Sequence, residues 1–111
     1  MTKKRKAFAI LISSALFTSA ARFSYSYLQF HAVGSRFRRV KIGETRQQVR
    51  NTLGKPNYHD GPCNGDILAP PKGCEWEYVY SFPLAPLVPE YYVVAFSKED
   101  RVIKAVHTTS P

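Results

Sequence analysis

"KIGETRQQVRNTLGKP", residues 41–56, encodes a helix barely two turns long together with its start and stop signals. Thr45 stands at the N-cap position, and Gln48, three residues on, is placed to reach back to the Thr45 N–H in a capping box. Gly54 supplies the left-handed residue past the helix end, and Pro56 forbids continuation. Val49 and Leu53 fall one turn apart on a single face, with Arg46, Gln47, Arg50 and Asn51 around the remainder. Isolated helices of this length are marginal in water. The one apolar edge must therefore lean on a sheet, which points to a two-layer α+β domain.

The sheet is legible after Cys74. "CEWEYVYSF" alternates Trp76, Tyr78, Tyr80 and Phe82 with Glu75, Glu77, Val79 and Ser81, the period of a half-buried strand. "YYVVAFS" from Tyr91 and "RVIKAVHT" from Arg101 follow, joined by the polar "KEDR", a connection of hairpin length. The expectation is three antiparallel strands under a short helix, with Val49 and Leu53 covering Trp76, Tyr78 and Tyr80. Trp76 should lie buried beneath the helix, and Glu75, Glu77 and His107 on solvated positions. "RFRRVKIG" should run extended into the cap with Val40 and Ile42 turned inward.

The chain of 111 residues, 44% hydrophobic and 14% aromatic, has room for one small core. Its net charge of +8 is unevenly placed. Residues 22–50 carry seven basic side chains against Glu44 alone, while residues 51–111 carry five basic and seven acidic. The basic excess thus sits in a leader and linker rather than on a recognition element, and no nucleic-acid-binding motif accompanies it. No nucleic acid is expected as a partner.

Residues 1–21 combine Lys3, Lys4, Arg5 and Lys6 with an apolar stretch from Ala7 and small residues at Thr18, Ala20, Ser19 and Ala21. That pattern fits a cleavable signal peptide or an uncleaved anchor. Ala7–Ala21 as a helix is only about 22 Å long, short of a bilayer core of roughly 30 Å. Either reading exports the remainder to the periplasm, free or facing it from the inner membrane. Residues 22–39 read as a basic, aromatic tether, and residues 40–108 as the domain. Arg36, Arg38, Arg39 and Lys41 are candidates for contact with an anionic membrane surface.

Cys63 and Cys74 enclose "NGDILAPPKG" and, in an exported chain, form a disulfide. A metal site from His59, Asp60, Cys63 and Cys74 is the alternative, but the spacing matches no zinc pattern, so no metal or other cofactor is expected. Glu75 and Glu77 resemble a carboxylate pair only in spacing, and a solvated sheet face accounts for them. No phosphate loop or nucleophile elbow is present, and a non-enzymatic protein is expected. "PLAPLVPE", residues 83–90, is stiff and apolar where a polar turn would suffice. Leu84, Leu87 and Val88 either fold back over the domain's own core or stand exposed, with Tyr91 and Tyr92 beside them, as partner contacts.

The motif "IGxTxxQVxxxLGxP" at Ile42, Gly43, Thr45, Gln48, Val49, Leu53, Gly54 and Pro56 resembles the SmpA/OmlA (BamE-like) family of small envelope lipoproteins. Trp76, Tyr78 and Tyr80, then Phe96, Arg101 and Val102, extend the resemblance, which spans about residues 40–106 and includes the osmotically inducible OsmE group. It implies a helix or helix pair on a three-stranded antiparallel sheet, and a scaffolding role toward envelope proteins, possible outer-membrane assembly components among them. Residues 1–62 contain no cysteine for lipid attachment, and Glu44 stands where the family usually has Met. The alternative function is a binding inhibitor or sensor of another envelope enzyme.

Overall fold

The computed structural model describes residues 3–84 and 87–109. A long helix α1 (Lys3–Arg36) runs into a single 3-10 turn at Phe37–Arg39, followed by the short α2 (Arg46–Leu53). Four strands follow: β1 (His59–Pro62), β2 (Trp76–Ser81), β3 (Tyr91–Phe96) and β4 (Val102–Thr108). They form one antiparallel meander in the order β1-β2-β3-β4. The class is α+β, two helices packed on a sheet, and the sheet has four strands where three are expected. The added strand, "HDGP", is too short and too polar to carry an alternating signal, and exists through its pairing of His59 with Val79 and Gly61 with Glu77.

The capping box at α2 is complete. The Thr45 hydroxyl accepts from the Gln48 N–H at 3.2 Å, and the Gln48 side chain accepts from the Thr45 N–H at 2.8 Å. Gly54 closes the helix at φ +84°, its N–H donating to the Arg50 carbonyl. Val49 and Leu53 are buried against the sheet. Replacing Thr45 with Ala should cost about 1 kcal/mol through loss of the cap, read as a lowered urea midpoint.

The approach to that cap differs from expectation. The Glu44 N–H donates to the Lys41 carbonyl, and Gly43 has φ +93°, so residues 41–44 form a tight turn that requires a glycine at its third position. Ile42, at the second, is turned to solvent and 69% exposed, whereas Val40 packs on the core. The turn is tied to the sheet by Gly43 N–H to Val102 carbonyl and Val102 N–H to Glu44 carbonyl.

Residues 22–36, read as part of the basic, aromatic tether, form the last turns of α1. Phe23, Tyr27, Phe30, Gly34 and Phe37 recur at helical spacing, and Phe30 and Val33 are buried. Upstream, Leu11, Ile12, Leu16 and Phe17 are exposed, so α1 leaves the sheet as an arm along the 65 Å long axis of the molecule. No helix among the described residues is long and apolar enough to cross a membrane.

The sheet is covered on both sides. On the helix face, Tyr78, Tyr80, Val94, Phe96 and Val102 pack with Val33, Val49 and Leu53. On the other face, Val79, Tyr91 and Val93 cluster with Ile67, delivered by the loop between Cys63 and Cys74. Glu77, expected in solvent, is therefore buried, as are Val79 and Ser81 beside it. Trp76, expected under α2, is only half-buried at its edge, where its indole N–H donates to Asp60 at 2.8 Å and the Arg46 guanidinium lies 5.0 Å from its ring centroid. Arg46 also pairs with Asp100 in the β3–β4 turn, fastening the start of α2 to the hairpin.

Burial of phenols sets a pH limit on this packing. Burial, then the neighbouring Tyr78, pushes the Tyr80 hydroxyl well above the ordinary phenol range, while it donates to the Gly54 carbonyl at 2.7 Å. Tyr78 is raised by burial and then by Asp60, and Tyr92 by burial and then by Glu90. Phenols raised in the fold contribute stability that is full below the unfolded tyrosine pKa of about 10 and is lost as pH rises through it toward the folded value. Urea midpoints should hold from about pH 7 to 9 and fall above about pH 10, and Tyr80→Phe should shallow that fall.

Candidate interaction surface

The Pro-rich connection between β2 and β3 is closed at its root by the Phe82 N–H donating to the Glu90 carbonyl at 2.9 Å. Above that pair, Leu84, Leu87 and Val88 are exposed, Leu87 at 85%. Ala85 and Pro86 lie outside the described residues. The Val88 N–H donates to the Leu84 carbonyl at 3.0 Å, so a local turn holds the loop outward instead of folding its side chains onto the core. Leu84, Leu87 and Val88 thus stand in solvent and do not fold back over the core.

The loop root is wedged against α1. Phe82 meets Phe30 and Tyr27 edge-on, with ring centroids at 5.5 and 6.0 Å. Tyr92 packs tilted on Phe30 and Phe37 and stacks on His107 at 4.4 Å. Gly34 permits that approach, since a Cβ there would lie 2.7 Å from the Tyr92 hydroxyl oxygen. A cleft of about 340 Å³ remains between Tyr27, Phe30, His31, Phe82, Glu90 and Tyr92.

Two expected contact residues must be reassigned. Tyr91 is 1% exposed within the second cluster, edge-on to Tyr58, and unavailable to a partner. Tyr92 is half-buried and serves to dock α1. Adjacent strand residues point to opposite faces, and here each face has its own cover. His107, an expected solvated position, is exposed yet bonded to Glu90 at 3.1 Å.

Arg36, Arg38, Arg39 and Lys41 are exposed, at the end of α1 and around the 3-10 turn. They share the connection from α1 to α2, but because α1 is continuous, Arg36 stands about 22 Å along the helix from Ala21.

Cys63 and Cys74 are joined in a disulfide with Cα atoms 6.2 Å apart. The bridge anchors the loop that seats Ile67. Beside it, Glu77 is 4% exposed, its carboxylate accepting from the Asn64 N–H at 3.3 Å with His59 Nε2 at 3.6 Å. Glu75, just before β2, is exposed, so the two carboxylates occupy unlike surroundings. The burial of Glu77 was hidden from the sequence by its place in an alternating strand. The apolar runs Val79 and Tyr91–Phe96 carried the signal, because they are hydrophobic on both faces and demand two covers.

Comparison with protein-family models, with curated proteins and with solved structures finds no match for this chain.

Proposed function

We propose that the chain is a non-enzymatic, periplasm-facing interaction module of a bacterial cell envelope, a scaffold of the SmpA/OmlA kind that engages envelope proteins. The observation that carries the reading is the exposure of Leu84, Leu87 and Val88 on a loop whose prolines fix it in advance. A domain with both sheet faces already covered has no structural use for these side chains in solvent. Pre-set φ angles and few free N–H groups mean that little conformational entropy is lost on docking. The neighbouring Tyr27 and Phe82 rings extend the apolar edge, and aromatic anchors of that type concentrate binding energy at interfaces.

The N-terminal arm fits the export part of the proposal. Its apolar residues Leu11, Ile12, Leu16 and Phe17 make no core, whereas the docked turns begin near Tyr27, so removal of residues 1–20 or 1–21 would leave the packed domain whole. With the arm retained as an anchor, Arg36 would stand about 22 Å of helix beyond Ala21, which favours a protein partner over a membrane surface for the Arg36–Lys41 segment. Attraction between exposed charges and a membrane falls off within a Debye length of about 8–10 Å.

The test is the triple replacement of Leu84, Leu87 and Val88 by Ser. Thermal unfolding should stay nearly unchanged, while crosslinked capture of envelope proteins in the native host is lost. A triple variant that unfolds readily, or that captures as well as wild type, removes the loop from the proposal. Intact mass of the chain from its host reports the leader and the bridge together. Mass of the uncut, fully reduced chain would overturn the export reading.

A further inference from the structure

We propose that the Cys63–Cys74 pair is half of a redox-gated zinc site, in which Glu77 is the third ligand and His59 the fourth once the bridge is reduced. The two sulfur atoms and a Glu77 carboxylate oxygen lie within 4.8 Å of one another. A disulfide is neutral and offers a buried carboxylate neither a counter-charge nor a strong donor. Glu77, 4% exposed, has the Asn64 N–H at 3.3 Å and His59 Nε2 at 3.6 Å as polar neighbours, and a cation between its carboxylate and the two sulfurs would add the counter-charge that the bridge lacks.

The strand register sets a fourth donor on the same face as Glu77, outside the 4.8 Å set of the other three. Gly61 pairs directly with Glu77 across β1 and β2, and His59, two residues earlier, shares the face of Gly61. A Cβ on Gly61 would come within 2.9 Å of the His59 Cε1, so the missing side chain is the space the imidazole occupies. The ring now holds the Pro62 carbonyl at 2.9 Å, with Nε2 3.6 Å from Glu77. Asp60, the other acid in this stretch, is held by the Trp76 indole and by Arg50, and is not a ligand.

The chemistry needs two outside groups, a dithiol reductant for the bridge and the metal ion itself. A dithiol reductant attacks the bridge through a mixed disulfide, passes two electrons to it and leaves as its own disulfide, and Cys63 and Cys74 become thiols. Zn²⁺ then displaces both thiol protons to solvent and takes two thiolates, one carboxylate and one neutral imidazole, the four-coordinate set of a closed structural site. Thiolate donors favour zinc over magnesium or calcium. The loop carrying Ile67 is thereby pinned in either redox state, by the covalent bridge under oxidising conditions and by the metal under reducing ones.

Cobalt is the probe. The full chain, reduced with a phosphine under argon and titrated with Co²⁺, should bind one equivalent, with a thiolate-to-cobalt charge-transfer band and tetrahedral visible bands that Zn²⁺ bleaches. The oxidised chain should show neither. Glu77→Gln and His59→Gln should each weaken Co²⁺ by at least about tenfold, since even outer partners of metal ligands are worth that much. Absence of the bands in reduced wild type overturns the proposal, as do bands and affinity unchanged in both variants, which would report two thiolates alone. Should the variants fail to fold, hydrogen exchange of reduced wild type decides. Zn²⁺ should slow the amides of residues 64–73, and unchanged exchange there overturns the site.

Discussion

Phe96→Ala should destabilise the domain by about 3–5 kcal/mol, a large share of what a fold of this size holds. Phe96 is fully buried at the end of β3, where Val49 and Leu53 of α2, Tyr78 of β2 and Val102 of β4 converge. Its ring meets Tyr78 edge-on at 4.9 Å, a contact worth about 0.5–1.5 kcal/mol beyond area. The ladder shifts register between Ala95 and Phe96, which sets Phe96 opposite Val102. The expected readout is a large fall in the urea midpoint, with Leu84→Ala on the exposed loop as the matched control. A Phe96→Ala midpoint shift as small as that control would place the core elsewhere.

Cys63→Ser combined with Cys74→Ser should cost about 2.5–3 kcal/mol, the chain-entropy value for so short a loop. The two cysteines are separated by 11 positions, and the loop between them supplies Ile67, the outer cover of Val79, Tyr91 and Val93. Release of the loop therefore also uncovers part of the second cluster. Urea unfolding in a chelator should show the lowered midpoint, and hydrogen exchange should rise first at residues 64–73 while α2 stays protected. Uniform loss of protection, or an unchanged midpoint, would mean that this loop is not what closes that face.

The sequence alone determined the elements whose signals are local. The α2 boundaries were legible because a cap, a C-terminal glycine and a proline each act within a few residues, and the capping box at Thr45 and Gln48 is present as read. β2 was legible from its alternation, and β3 and β4 as the stretches flanking a four-residue polar turn. The pairing of Cys63 with Cys74 was expected on the condition of export, and the two stand paired with Cα atoms 6.2 Å apart.

What needed the tertiary structure is everything set by a second partner. β1 is a strand because β2 offers it hydrogen bonds, not because "HDGP" prefers one. The C-terminal turns of α1 became core when Phe30 and Val33 met the sheet, and Tyr91 and Tyr92 were divided between two faces by covers lying far away in sequence. Glu77 shows the limit most plainly. Period 2 assigns it a face, but whether that face meets water is decided by a loop that the Cys63–Cys74 bridge folds over it, and burial is a property of what lands on a residue rather than of the residue.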